Sequence, residues 1–383
     1  MIAAALPLSL AARSAPERHS MPCAASGGVL TIDLGALERN YRHLVSLVGA
    51  ARCAGVVKAD AYGLGAELVI KVLLKAGCNT FFVAQLNEAT ALRSILPDDA
   101  SLCVLNGVSP GTESLCAAAG ITPVCNSLDQ LAAWSRTARE MNLRLDTIIQ
   151  LDSGMSRLGM SPAEVDAIVA SPGILGPLDL KLVMSHLACG DDPEHPANEA
   201  QRAEFDRLRG KLPPAPASLA NSAGIFLGRN YHYDLCRPGA AVYGISAGPL
   251  AHGIRPVVAL KVRVAQIREI PANVQVGYGF TFKADRPMRL ATLMVGYADG
   301  WSRHFSGKGR VWCDDIALPI VGRVSMDSCS VDISALPEGR LKPGDFVELF
   351  GPHQSADDAA GRIGTIGYEM LTQLGHRYHR KYL

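Results

Sequence analysis

The chain has 383 residues, which exceeds the usual length of one domain and predicts two domains, or a barrel with an appendage. Lys and Arg number 37 against 36 Asp and Glu, so the formal net charge of +1 offers no broad attraction to nucleic acid or anionic lipid. The 48% hydrophobic content excludes global disorder, and no apolar run approaches the ~20 residues that span a bilayer, which excludes an integral membrane protein.

Residues 1–28 are predicted as a disordered N-terminal tail. Residues 1–12 are apolar like a secretory signal but lack its basic start, and Met21 is an alternative start codon, so signal, tail and misplaced start stay open. The ten cysteines form no Cys-x-x-Cys pair and have no zinc-like histidine spacing, which predicts free thiols, no metal site and a cytoplasmic location.

Residues 29–248 alternate short β-rich runs with segments compatible with helices. This pattern predicts a (β/α)₈ barrel with its active site at the C-terminal ends of the strands. The candidate strands are 53–57, 80–84, 102–105, 122–125, 146–151, 180–185, 217–220 and 233–236. A doubly wound open sheet is the alternative, and the lack of a Gly-x-Gly-x-x-Gly motif after the first strand counts against it.

Residues 249–383 have a different sequence pattern, in which Val-rich alternating runs are separated by Gly and Pro turns and helical patterns are few. They predict an all-β C-terminal domain that follows the α/β barrel. Residues 30–33 form a further candidate strand, which precedes the first helix and could join this second domain.

Residues 56–65, VVKADAYGLG, place Lys58 at the end of an apolar strand and before a glycine-rich turn. A lysine at a barrel mouth is desolvated enough to lose its proton, which is the condition for forming a Schiff base with an aldehyde. Strand-end lysines also commonly extend to solvent, so this segment alone leaves catalysis open.

This segment resembles the pyridoxal-phosphate lysine motif of alanine racemases. Further segments resemble that family's motifs and occur in its order: LDSGMSRLG at 151–159, SHL at 185–187, NS at 221–222, RPG at 237–239, YG at 243–244, GYG at 277–279, VGYADG at 295–300 and GRVSMD at 322–327. The resemblance spans about residues 29–380. It implies a pyridoxal-phosphate barrel plus a β domain, and the interconversion of L- and D-alanine that supplies cell-wall peptidoglycan.

By this resemblance, Lys58 carries the cofactor as an aldimine and acts as one general base, and Tyr278 acts as the other. Racemisation removes the α-proton from one face and returns it to the opposite face, so two bases suit the chemistry. Arg237 resembles the arginine that faces the pyridine nitrogen. His186 resembles the histidine that links this arginine to the tyrosine.

The resemblance also assigns the cofactor phosphate to a cradle of Tyr62, Ser222 and the amides of Gly239 and Ala240. Hydroxyl and backbone amide donors of this kind suit an anion.

For the substrate, Arg157 and the backbone of Met326 resemble the groups that hold the carboxylate, and Tyr297 lines the entrance, which restricts the side chain to about a methyl group. A guanidinium fork suits a carboxylate.

Three positions depart from the family pattern. Leu64 stands where the family often has histidine, and Gln150 stands where several members have a carbamylated lysine. We expect no carbamate, and Gln150 could accept a hydrogen bond from Arg157 instead; whether it fully replaces the lysine stays open. His376 is a weak candidate for a tyrosine that contacts the phosphate in some members.

The two predicted bases lie in different domains, and the resemblance implies a head-to-tail homodimer with shared active sites. One barrel's Lys58 would face Tyr278, Tyr297 and Met326 of a second copy. A racemase of broader amino-acid range and a non-catalytic pyridoxal-phosphate binding protein are the alternatives. The second of these would lack the C-terminal domain.

Overall fold

A computed structural model describes residues 23–383. The candidate signal and the alternative start lie outside the described residues, as does most of the predicted 1–28 tail. Within that tail, Cys23–Ala25 form a single 3₁₀ turn, and strand β1 (Gly28–Ile32) begins at its last residue.

The N-terminal half contains short parallel strands that alternate with helices, and the prediction of a barrel is confirmed. Its strands are β2 (Arg52–Cys53), β3 (Gly55–Val56), β4 (Thr80–Val83), β5 (Ser101–Val104), β6 (Thr122–Cys125), β7 (Leu145–Gln150), β8 (Leu178–Met184), β9 (Ala217–Ser218) and β10 (Leu235–Cys236). Strands β3 to β9 form one parallel sheet in sequence order. Because β2 and β3 are two pieces of one segment, these are the eight strands that the sequence predicts.

Hydrogen bonds on both sides of β10 close the sheet into a barrel. Strand β10 pairs in parallel with β2, and the Ala54 amide donates to the Cys236 carbonyl at 2.9 Å. On the other side, the Arg237 amide donates to the Ala220 carbonyl just after β9, also at 2.9 Å. An open doubly wound sheet is therefore wrong.

The helices pack their apolar faces on the outside of this barrel. They are α1 (Leu34–Val48), α2 (Lys58–Gly63), α3 (Ala66–Lys75), α4 (Leu86–Leu92), α5 (Glu113–Ala118), α6 (Leu128–Glu140), α7 (Pro162–Ala170), α8 (Ala197–Arg209) and α9 (Ser222–Phe226). In α1, Leu37, Tyr41 and Leu44 are buried at helical spacing, and Asp33 caps the first turn by accepting from the Ala36 amide at 2.7 Å. Element α2 is an exception, because it is a left-handed turn rather than an ordinary helix.

The C-terminal half is built on antiparallel strands. They are β11 (Val258–Ile270), β12 (Gln275–Val276), β13 (Phe282–Lys283), β14 (Met288–Leu293), β15 (Arg310–Cys313), β16 (Ile316–Val321), β17 (Cys329–Asp332), β18 (Phe346–Phe350) and β19 (His379–Tyr382). The long strand β11 pairs with β18 through its first half and with β14 through its second half, which closes a six-stranded sheet on itself. Two short helices, α10 (Ala356–Ile363) and α11 (Gly367–Thr372), add to the β structure that the sequence predicts.

The first strand of the described chain belongs to the C-terminal sheet. Strand β1 runs antiparallel to β11 on one side and parallel to β19 on the other, so Leu30 lies opposite both Leu260 and Arg380. The alternation in β1 buries Leu30 and Ile32 in the core. Among residues 23–383, no helix is long and apolar enough to cross a bilayer.

Candidate active site

The turn after Lys58 has an unusual backbone conformation. Four consecutive residues other than glycine, at positions 59–62, have φ between 53° and 56°. Each such residue costs about 1–2 kcal/mol in the left-handed region, so the surrounding structure must hold this turn in place. Within the turn, the Ala61 amide donates to the Val57 carbonyl at 2.9 Å, and the Ala59 amide donates to the Glu88 carboxylate at 2.5 Å. This conformation brings the buried Tyr62 and the adjacent Lys58 to the same barrel mouth.

The Lys58 ammonium is destabilised where it lies. Burial lowers its pKa from the usual value, the positive charge of Arg157 lowers it further, and Glu88 opposes this change. Among the described residues, the amine has no hydrogen-bond or ion-pair partner. The lowered pKa makes the neutral, nucleophilic form of this lysine easier to reach.

A group of hydrogen-bond donors surrounds Gly239, at the predicted phosphate site. Ser222 Oγ accepts from the amides of Gly239 (2.9 Å) and Ala241 (3.2 Å), which leaves its own proton free to donate. The Tyr62 hydroxyl lies only 2.2 Å from where a Cβ on Gly239 would be, so glycine is required for this close approach. Neither this hydroxyl nor the Ala240 amide donates to an acceptor within the described chain. These donors fit an anion such as a phosphate.

Tyr368 lies beside this group of donors, and the sequence analysis missed it. Its ring lies 6.2 Å from that of Tyr62, which also packs on Tyr243 at 4.6 Å. Burial is the main cause that raises the pKa of Tyr368 to about 12, so its hydroxyl is a donor at neutral pH. His376, the residue considered from the sequence, is exposed. A glycine followed by a tyrosine at the start of a short helix is too common a pattern to have marked Tyr368.

Arg237 is a buried cation without a carboxylate partner. Its guanidinium donates to Ser218 Oγ, to the Ser185 carbonyl at 2.5 Å and to the Leu219 carbonyl at 3.5 Å. Burial lowers its pKa to about 10, at which it is still protonated at neutral pH. Its Nε donates to nothing within the described chain, so this side chain can still serve an external acceptor.

His186 lies among three cations and is neutral. Burial, followed by the charges of Arg237, Arg157 and Lys58, lowers its pKa to about 3. In the part of the chain that the structure describes, the His186 ring has one side-chain hydrogen-bond partner. This is Asn221, whose Nδ2 lies 3.4 Å from His186 Nε2. Within the described chain, no hydrogen bond joins Arg237 to His186. Arg237, Arg157 and Lys58 place positive charge together at the barrel mouth, which suits phosphate and carboxylate groups.

The loop that carries Arg157 is shaped by Asp152, whose Oδ1 accepts from three successive backbone amides at 2.9–3.1 Å. Arg157 itself is exposed and makes no hydrogen bond in the described chain. Gln150 accepts no hydrogen bond from Arg157 in the described chain, and its Nε2 donates to the Leu158 carbonyl at 3.2 Å. Gln150 thus fixes the base of the loop rather than its arginine.

The remaining predicted residues lie on the C-terminal domain and do not join this group within one chain. Tyr278, Tyr297 and Met326 are 70%, 45% and 53% exposed, and Phe280 beside them is 63% exposed. No hydrogen bond connects Lys58 with Tyr278 in the described chain. Large exposed apolar side chains of this kind are typical of a surface that another molecule covers.

Arg377 ties together the two loops that carry Tyr297 and Met326. Its guanidinium makes a bidentate pair with the buried Asp299 at 2.6 and 2.8 Å, and donates to Asp327 at 2.6 Å. A backbone bond from the Ala298 amide to the Met326 carbonyl, at 3.0 Å, adds to this connection. No sequence pattern points to this arginine, because its two partners are distant in the chain.

Comparison with known proteins agrees with this arrangement. The family model described as "Alanine racemase, N-terminal domain" matches residues 32–247, and "Alanine racemase, C-terminal domain" matches residues 257–382. "Alanine racemase, catabolic" from Mesorhizobium japonicum is 55% identical over 361 residues, which are 94% of each chain. "Alanine racemase" from Brucella canis is 49% identical over 373 residues, with 94% of each chain covered.

Two solved structures show the same fold. The alanine racemase from Bartonella henselae, with covalently bound pyridoxal phosphate, has 42% identity and a TM-score of 0.91, with 94% of this chain and 100% of that chain covered. The biosynthetic alanine racemase from Pseudomonas aeruginosa has 34% identity and a TM-score of 0.87, with 94% and 99% covered. Both family models, the identities and the shared fold agree, and the chain therefore belongs to the alanine racemase family.

Proposed function

We propose that this protein interconverts L- and D-alanine with pyridoxal phosphate bound to Lys58. The observation that carries the proposal is the barrel mouth, where a lysine with a lowered pKa lies with an anion cradle and a buried arginine. The Bartonella relative, with its covalently bound pyridoxal phosphate, supports the same cofactor here.

The residues of the mouth fit this cofactor at both of its ends. Tyr62, Ser222 and the Ala240 amide each have a hydrogen to donate and no acceptor in the described chain, which fits the phosphate, while Gly239 leaves room for it. Lys58 would hold the aldehyde carbon. When bound, pyridoxal phosphate supplies an electron-withdrawing ring that stabilises the electron pair left when the α-proton is removed.

Arg237 would meet the pyridine nitrogen as a donor only. A guanidinium stays protonated at neutral pH and cannot protonate that nitrogen, whereas a carboxylate would keep it protonated. We expect this to limit how far charge spreads into the ring and so to disfavour side reactions such as transamination. The absence of a carboxylate among the hydrogen-bond partners of Arg237 supports this role.

Lys58 and Tyr278 would move the α-proton, each on one face of the substrate. Burial and Arg157 disfavour the charged form of Lys58, which favours the neutral amine that a general base requires. Arg157 and the Met326 amide would hold the substrate carboxylate, and Tyr297 would limit the side chain to about a methyl group, although a single extra methylene is usually worth only ~1–3 kcal/mol.

The active site would be complete only in a homodimer. Within one described chain, no hydrogen bond joins Lys58 to Tyr278. Tyr278, Tyr297 and Met326, which would complete the site, are exposed. A two-fold head-to-tail pairing would bring each barrel mouth against the second copy's C-terminal domain and would cover these side chains. The near-zero net charge gives no support for binding to nucleic acid or a membrane, and the positive mouth suits the carboxylate of a small amino acid.

Mixing two inactive variants tests the shared site. Random pairing of Lys58→Ala with Tyr278→Phe subunits makes half of the dimers mixed, and each mixed dimer has one intact and one doubly damaged site. About a quarter of the wild-type activity should therefore return. If mass spectrometry proves that mixed dimers form and no activity returns, each site is built within one chain.

We place the reaction in the cytoplasm, where it would supply D-alanine for peptidoglycan. All ten cysteines are free thiols, which supports a reducing compartment. The relatives from Mesorhizobium japonicum and Agrobacterium fabrum, both named catabolic, favour a second role in the breakdown of alanine. Deleting the gene distinguishes the two: a need for added D-alanine supports the first, and loss of growth on alanine as carbon source supports the second.

A chiral assay over a panel of amino acids, on protein purified without added cofactor, tests the activity itself. Racemisation of alanine at a much higher kcat/KM than of larger side chains supports the proposal. Comparable turnover of several amino acids would favour a racemase of broad range. Bound cofactor with no turnover of any amino acid would favour a non-catalytic binding protein.

A further inference from the structure

The last strand of the chain contacts the left-handed turn that follows Lys58. Arg380 Nη1 donates to the Gly63 carbonyl at 2.5 Å, and the Tyr382 hydroxyl donates to the Leu64 carbonyl at 3.0 Å. Both donors come from β19, and both acceptors lie directly after the four strained residues. Because residues two apart share one face of a strand, Arg380 and Tyr382 reach the turn together while Lys381 points away.

The contact is close as well as polar. A Cβ on Gly65 would be 2.6 Å from the Tyr382 hydroxyl, and one on Gly63 would be 2.6 Å from the Leu371 carbonyl in α11. The C-terminal end of the chain is therefore packed directly on this turn, with no room for a larger side chain at either glycine.

Strand β19 is itself firmly held. It runs parallel to β1, with Leu30 opposite Arg380 and Ile32 opposite Tyr382. The final residue adds two more backbone bonds: its amide donates to the Ile32 carbonyl at 3.0 Å, and its carbonyl accepts from the Leu34 amide at 3.1 Å. The turn is thus held against a sheet rather than against a free tail.

We propose that Arg380 and Tyr382 are positioning residues for the cofactor, because they hold the left-handed turn in the conformation that presents Tyr62 and Lys58. The inference rests on the proposed function, in which Tyr62 and Lys58 bind pyridoxal phosphate. Residues in the left-handed region other than glycine relax when unsupported. Loss of the two hydrogen bonds therefore lets the turn sample other conformations, and only a fraction of the molecules can then bind the cofactor.

The test compares cofactor binding by three variants of the full chain. Arg380→Gln combined with Tyr382→Phe removes both donors but keeps the tyrosine ring, and should weaken the binding of pyridoxal phosphate to the apoprotein about tenfold. Lys381→Gln, the matched control on the same strand, should bind like the wild type. With saturating cofactor, kcat of the double variant should approach that of the wild type, because no reacting group has changed.

Two further measurements separate positioning from general damage. Hydrogen exchange should accelerate in the peptide that spans residues 57–66 in the double variant, and not in the control. Adding Ala59→Gly to the double variant should restore most of the lost affinity, because glycine adopts the left-handed conformation without cost. If Tyr382→Phe alone is the only variant that folds, the same comparison applies to it, with a smaller expected loss of about threefold.

The outcomes distinguish the two proposals. A wild-type protein that binds no pyridoxal phosphate overturns the proposed function. A wild type that binds it, together with a double variant of unchanged affinity, overturns the role of β19. A double variant with lost affinity that Ala59→Gly does not restore also overturns it, because the defect then does not come from strain in the turn.

Discussion

Replacing Gly239 by alanine should disrupt the phosphate cradle directly. The added Cβ would lie 2.2 Å from the Tyr62 hydroxyl oxygen and 3.0 Å from the Tyr62 Cζ, so the tyrosine would have to move back by about 1 Å to reach ordinary contact. Tyr62 is buried and packs on the ring of Tyr243, which leaves it little space to move. Overpacking of this kind costs about 1–3 kcal/mol of unfolding free energy.

The same change should weaken cofactor binding more than it weakens the fold. If Tyr62 no longer reaches the phosphate, a hydrogen bond to a charged group is lost, which is worth about 1.5–3 kcal/mol or roughly a 10- to 150-fold rise in Kd. Titration of the apoprotein with pyridoxal phosphate, followed by absorbance, measures the Kd. Denaturant unfolding measures the stability.

Gly361→Ala is the matched control. Gly361 lies within α10, no atom lies within 4 Å of its added Cβ, and its backbone does not need glycine. This change should leave the Kd for pyridoxal phosphate unchanged and stabilise the fold by up to about 1 kcal/mol. If Gly239→Ala binds the cofactor as tightly as the wild type and unfolds at the same denaturant concentration, the proposed cradle is wrong.

Other substitutions test the remaining parts of the site. Lys58→Ala should remain folded and lose the yellow absorbance of the bound cofactor; a borohydride-reducible adduct at the same site would refute the assignment. Tyr278→Phe should reduce deuterium exchange of the α-proton far more from one enantiomer of alanine than from the other, and equal losses would exclude a base specific to one face. Because the folded pKa of His186 is about 3, below its usual 6.5, the unfolded chain takes up a proton first and stability is lost as pH falls from about 6.5 towards 3. His186→Gln should therefore move acid unfolding of the apoprotein to lower pH, as circular dichroism can show. Arg377→Gln should raise KM for alanine with little change in kcat, whereas Arg340→Gln, which breaks another Arg–Asp pair of the same domain, should change neither; equal effects would mean that Arg377 acts only on stability.

The fold could be predicted because its strands are short apolar runs at regular spacing. The run at 122–125 matches β6 residue for residue, since turns bound it closely. Strand β9 ends two residues before its predicted end, because the chain leaves the ladder at the barrel mouth just before Ser222. Strand β10 ends where predicted but begins two residues later, because Tyr233 has a positive φ and lies in a turn. The local sequence pattern identifies an apolar run, but it does not show where the chain stops pairing with the neighbouring strand.

The sequence analysis named candidate site residues, but it did not predict which hydrogen bonds and contacts those residues make. Lys58 and Arg237 could be proposed as site residues because their motifs are local, but the left-handed turn could not be predicted, since nothing in its alanines predicts a positive φ. The partners of Gln150 and the place of Tyr368 depend on contacts between distant segments. Such contacts follow from the packing of the whole chain rather than from spacing in the sequence.

The position of β1 between β11 and β19 affects the order in which the chain can fold during synthesis. Leu30 leaves the ribosome early, but its partner Arg380 is translated about 350 residues later, which at 5–20 residues per second is a delay of roughly 20–70 seconds. During that time the apolar side chains of β1 are not covered by the complete C-terminal sheet. The barrel strands, in contrast, pair with neighbours that are close in sequence. The left-handed turn also waits for β19. A nascent chain therefore cannot complete the support of this turn until β19 has been synthesised, and chaperone binding to β1 is expected during this interval.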